Sequence, residues 1–129
     1  MKKTTWLLRA VGALQITLGC FYLFAPDFIL RAMGHTLPAP DIHYPLAMLA
    51  SRFVAYGAAF IYIAKSPVQH RLWMYVMVLI QTIDLGAGLF YTSTGVVSLS
   101  LSGFPMFNAA LIIVLLVAWM PRPASAVNG

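Results

Sequence analysis

Residues 71–91 read RLWMYVMVLIQTIDLGAGLFY. Nine apolar residues, Leu72 to Ile80, follow one another without a break. As an α-helix the stretch would be roughly 31 Å long at 1.5 Å per residue, close to the ~30 Å hydrocarbon thickness of a bilayer. The segment therefore reads as a membrane-spanning helix. It also contains Asp84, one of only three acidic residues in the chain, so something must neutralise that carboxylate.

The rest of the chain agrees with a lipid environment. Of its 129 residues 61% are hydrophobic and 9% are charged, against about 25% charged in a soluble domain. Its mean hydropathy is +0.86. A soluble protein of this length would have to cover itself with apolar side chains and would aggregate. The length fits one domain, 1–129.

Three further apolar segments accompany the first. The four run at about 6–25, 45–64, 71–91 and 103–120, and Pro26, Pro67, Pro121 and the run Thr92–Gly95 stand where they should break. The fold class expected is all-α, an integral membrane four-helix bundle. Between the first two segments FILRAMG suits a short interfacial helix, and Pro38 and Pro40 end it. STGVVSLSLS, between the last two, reads as an extended or re-entrant piece or a loop with frayed helix ends. The first twenty residues faintly resemble a lipoprotein signal ending at Cys20. Arg9 and Gln15 interrupt its apolar run, Thr17 and Leu18 suit the site poorly, and FYLFA continues beyond it. A retained helix is expected, with Cys20 as a small residue in a helix contact.

The net charge of +5 does not point to nucleic acid, because the basic residues are scattered. Their placement points to orientation. Lys2, Lys3, Arg9, Lys65, Arg71 and Arg122 fall on one side and Arg31 on the other, with Arg52 inside a span. By the positive-inside rule both termini are expected in the cytoplasm. Trp6, Trp73 and Trp119 fall near that same face, as an interfacial belt requires.

The polar residues inside the spans are Gln15, Arg52, Tyr56, Gln81, Asp84 and Asn108. A lone charge at mid-membrane costs roughly 3 kcal/mol on insertion scales, so a partner is expected. Arg52 lies sixteen residues before Val68, in the loop joining the second and third spans, and Asp84 sixteen after it. In two straight antiparallel helices the two share a depth. Gln15, Tyr56 and Gln81 form a layer nearby, and Asn108 lies towards the outer end of the fourth span. Gly12, Gly19, Ser51, Ala55, Ala59, Gly86 and Gly88 are small enough to let neighbouring helices approach. The set reads either as a structural ion pair with an amide network or as a site where Arg52 holds an anionic or polar group and Asp84 is its counter-ion or proton acceptor.

Other chemistry is thinly represented. His35, Asp41 and His43 share an outer loop, but their spacing matches no established ligand pattern, so solvated loop residues are expected, with no metal and no cofactor. His70 is expected at the interface. There is no nucleophile elbow, phosphate loop, HExxH sequence or cysteine pair.

The arginine within LASRFVAYGAAFIYIAKSP and the polar third span, RLWMYVMVLIQTIDLGAGLFY, within four short helices, resemble the small bacterial membrane proteins grouped as DoxX-like or BphX-like. That resemblance implies the bacterial inner membrane and carries over no functional residue. The function expected is a non-enzymatic accessory or interaction subunit, with membrane lipids, a second copy or another membrane subunit as partners. The alternative is small-molecule binding or transport through the Arg52–Asp84 layer. A membrane enzyme using Asp84 as acid or base is a third reading.

Overall fold

Prolines and glycines divide this chain into helices, as the computed structural model of residues 2–123 shows. Its α-helices are α1 (Lys2–Phe24), α2 (Pro26–Ala32), α3 (His43–Ile63), α4 (Arg71–Ser93) and α5 (Leu99–Ala118). Short 3-10 turns at Pro40–Ile42 and Pro67–His70 lead into α3 and α4. There is no strand among the described residues. Four stretches, Lys2–Phe24, Pro40–Ile63, Pro67–Ser93 and Leu99–Ala118, are long and apolar enough to cross a membrane.

The boundaries have local causes. Pro26 forces Ala25 out of helical geometry (φ −141°, ψ 55°) and then opens α2, where its missing N–H is harmless. Asp27 in the first turn of α2 and Arg31 in its last both complement the helix dipole. After α2 and α4 the chain turns through Gly34 (φ 90°) and Gly95 (φ 80°), a backbone region most side chains avoid. At each end the glycine N–H bonds back three residues and the next N–H bonds back five, to Leu30 and Tyr91 respectively. This pattern satisfies carbonyls that the helix end would otherwise strand.

α5 begins earlier than the sequence suggests. It starts at Leu99 and runs through Pro105, whereas the proline and the hydroxyl-rich SLSLS argue for a start near 103. Ser98 holds the earlier start. Its carbonyl accepts the N–H of Leu101 and of Ser102 at 3.0 Å and the Ser102 hydroxyl at 3.1 Å. The connection to α4 is therefore only residues 94–98, with neither an extended nor a re-entrant piece. The short helix expected at FILRAMG is present as α2, which starts two residues earlier, at Pro26, and ends at Ala32.

The chain divides into two compact units, Leu8–Tyr62 and Met1–Leu7 with Ile63–Gly129. In the Leu8–Tyr62 unit α1 packs against α3 at backbone contact. A Cβ built on Gly12 would lie 2.7 Å from the Gly57 carbonyl oxygen, and one on Gly57 would lie 2.6 Å from that of Gly12. One turn pair further along, Gly19 faces Ala50, Phe53 and Val54 in the same way. The expected small residues Gly12 and Gly19 thus make the contact from α1, but on α3 Gly57 and Ala50 receive it. Ser51 and Ala55 are exposed instead, as is Cys20. Tyr22 stacks on Phe53 (6.0 Å, 17°) and Phe21 on Phe28 (5.9 Å, 23°), tying α2 and α3 to the end of α1.

In the second unit α4 packs along α5. Gly88 admits Met106, whose Cγ would lie 2.5 Å from an added Cβ, and Thr92 shares a 2.6 Å hydrogen bond with Ser102. Met74, Met77, Ala109, Ile112 and Leu116 are buried. The Thr4 hydroxyl donates to the Trp119 carbonyl at 2.8 Å, so the start of α1 meets the end of α5. Mid-helix residues such as Leu79 (59%), Ile83 (61%) and Val114 (61%) remain exposed.

The glycine contacts generate a direct test. Gly57→Leu should destabilise the protein by about 1–3 kcal/mol, because the added side chain meets backbone that cannot yield. Gly86→Ala, with open space around it, should be neutral or stabilising by up to ~1 kcal/mol. Unfolding of both variants in mild detergent measures the difference.

Candidate functional site

The polar residues within the four long apolar helices occupy consistent positions along them. Gln15 lies nine residues before Phe24, the end of α1, and Arg52 nine after His43, the start of α3. Asp84 lies nine before Ser93, the end of α4, and Asn108 nine after Leu99, the start of α5. At 1.5 Å per residue each is roughly 14 Å from that end of its helix. Tyr56 and Gln81 lie about one turn deeper along α3 and α4.

In the Leu8–Tyr62 unit Gln15 is 4% exposed and Tyr56 is half-buried. Arg52 is exposed. Its guanidinium turns back on its own helix and donates through Nη1 to the Met48 carbonyl at 2.8 Å, where the Ser51 hydroxyl also donates at 2.7 Å. That carbonyl takes up one of the five guanidinium N–H donors.

In the second unit Gln81 is 4% exposed, and its Nε2 donates to the Met77 sulfur at 3.4 Å. Sulfur is a weak acceptor, so this amide is held mainly by packing. Asp84, one turn further on, is exposed, and Asn108 on α5 is half-buried. The Thr92–Ser102 and Gly88–Met106 contacts set the α4–α5 register. That register places Asn108 two residues, roughly 3 Å, from the level of Asp84. The sequence reading put Asn108 nearer the outer end because it started the last helix too late. Arg52 belongs to the Leu8–Tyr62 unit and Asp84 to the other.

Sequence reasoning missed the polar contact between α2 and the start of α3. His43 Nε2 lies 2.8 Å from Asp27 Oδ1, with side chains 37% and 49% exposed. Asp27 in the first turn of α2 thereby fastens that short helix to the start of α3. Sixteen positions and two prolines, Pro38 and Pro40, separate the partners, so no periodicity could reveal them. His43 is thus drawn towards Asp27, and among the described residues no group of three His, Cys, Asp or Glu side chains is placed to hold a metal. At the opposite end of α3, His70 Nδ1 lies 2.9 Å from the Ser66 carbonyl oxygen and 3.2 Å from its hydroxyl.

The His43–Asp27 contact is exposed enough for solvent to screen it, which sets its expected size. A double-mutant cycle of His43→Ala and Asp27→Asn, followed by unfolding in detergent, should give a coupling of about 0.2–1 kcal/mol. A coupling of zero would mean that stacking alone holds α2 in place.

No protein-family model matches this chain, and comparison with curated proteins and with solved structures returns no match.

Proposed function

We propose that this is a four-span membrane protein that works as a non-enzymatic interaction subunit, engaging a second transmembrane chain through its mid-span polar layer. The observation that carries the proposal is the exposure of Arg52 and Asp84 halfway along apolar helices. Facing lipid tails, each charge would cost roughly 3 kcal/mol. A partner presenting complementary polar groups removes that cost, and a second copy of the chain carries both Asp84 and Arg52.

Membrane insertion has its own support. The exposed residues along α4 and α5 are largely Leu, Ile, Val and Phe, a surface that suits hydrocarbon and not water. Four crossings return the chain to the side on which it began, in keeping with the Thr4–Trp119 contact between the starting and finishing helices. The excess of Lys and Arg on that side favours the cytoplasm for both ends. The resemblance of α3 and α4 to DoxX-like or BphX-like proteins favours the bacterial inner membrane.

Charge reversal tests the interaction. Two differently tagged chains, one carrying Arg52→Asp and the other Asp84→Arg, are co-expressed and solubilised in mild detergent. Each single variant alone should lose association about five- to thirtyfold, in line with roughly 1–2 kcal/mol for an intramembrane polar contact. The mixed pair should recover it. Rescue only when both changes sit in one chain would place the pair inside a single copy and contradict the interaction reading. Loss of pH- or voltage-dependent flux from liposomes in a still-folded Asp84→Asn variant would favour transport instead.

A further inference from the structure

Where the start of α1 meets the end of α5, the second unit contains an open cleft of about 590 Å³. Lys2, Lys3 and Thr4 line it from one end of the chain, and Trp119, Pro121 and Arg122 from the other. Three of these side chains are cationic and none is acidic. The first turn of α1 also has no acidic residue, so its unpaired N–H groups add to the positive potential. The Thr4 hydroxyl is already committed to the Trp119 carbonyl, which holds the two sides of the cleft together.

Basic residues near a bilayer end are usually read only as orientation signals, and Lys2, Lys3 and Arg122 do serve that reading. Their convergence from opposite ends of the chain on one cleft goes further, because orientation requires only that they lie on the same side. We propose that this cleft binds the phosphate of an anionic phospholipid headgroup.

The proposal rests on the membrane reading above, which puts the ends of α1 and α5 at headgroup depth. Phosphate suits the donor set, since Arg and Lys both bind its oxygens and Arg can do so through two N–H groups. The apolar part of the lining favours a lipid over a free anion. Trp119 is half-buried in the cleft and Pro121 is buried, and an indole is at home beside the glycerol region of a bilayer. Trp6, 66% exposed one turn into α1, adds a second aromatic anchor at that end.

The test uses the full chain reconstituted in nanodiscs with equal amounts of phosphatidylglycerol and phosphatidylcholine. Mild detergent then releases the protein, and native mass spectrometry counts the lipids retained. Wild type should keep phosphatidylglycerol over phosphatidylcholine by about tenfold or more, since each basic residue contributes roughly fivefold near an anionic surface. Replacing all three cations (Lys2→Gln, Lys3→Gln and Arg122→Gln) should bring the preference below about threefold by the same reckoning. Lys65→Gln, a change on the same side but outside the cleft, should leave it intact.

Three results would overturn the proposal: no preference in wild type, an undiminished preference in the triple variant, or release of the lipid by inorganic phosphate at about 1 mM. The last would assign the cleft to a free anion. Carbonate-resistant flotation with pure phosphatidylcholine vesicles reports membrane insertion alone. Its failure would sink the spanning reading, whereas successful flotation without lipid preference sinks only the headgroup site.

Discussion

On the membrane reading proposed above, the absence of water along four long apolar helices is the constraint on which the rest of this structure depends. In hydrocarbon a backbone N–H or C=O left unpaired costs several kcal/mol, so each span must close its hydrogen bonds within itself. This explains why α5 continues through Pro105 and begins as early as Leu99, with Ser98 accepting three hydrogen bonds at its start. It also explains why the hydroxyls of Thr17, Thr82 and Ser51 donate to carbonyls of their own helices. In water these side chains would find solvent, whereas in a span the preceding turn is the nearest acceptor.

Since lipid tails are as apolar as leucine, burial of apolar surface cannot drive one span against another. Close packing replaces it. Gly12 and Gly57 bring two backbones together, Gly19 extends that seam, and Gly88 opens a socket for Met106. The same economy leaves α3 and α4 each with an exposed charge near mid-helix. The Met48 carbonyl partly serves Arg52, and Asp84 shares its level with Asn108 to within two residues. A surface so apolar elsewhere and so polar at these points suits contact with another membrane segment.

Much of this was legible in the sequence. The four long apolar helices follow from length and hydropathy, and α2 from the prolines around it. Gly12, Gly19 and Gly88 stand out because glycine is unusual mid-helix. Gly57 did not, although a Cβ built on it would make the closest approach to a neighbouring backbone, 2.6 Å from the Gly12 carbonyl oxygen, because which small residue meets a neighbour depends on helix rotation and not on composition. The start of α5 was misplaced because Pro105 and the serines signal a break in any ordinary chain. The His43–Asp27 contact and the cleft between the chain ends depend on proximity across long separations, which no local pattern encodes.

Four crossings would put the loops after α2 and α4 on one side of the membrane and the loop after α3 on the other. In a Cys20→Ser background, single cysteines at Thr36→Cys, Gln69→Cys and Thr94→Cys are treated in intact cells with a membrane-impermeant maleimide. The account predicts that positions 36 and 94 react from outside and that position 69 reacts only after permeabilisation. Labelling of position 69 from the same side as 36 and 94, or of 36 and 94 from opposite sides, would contradict it.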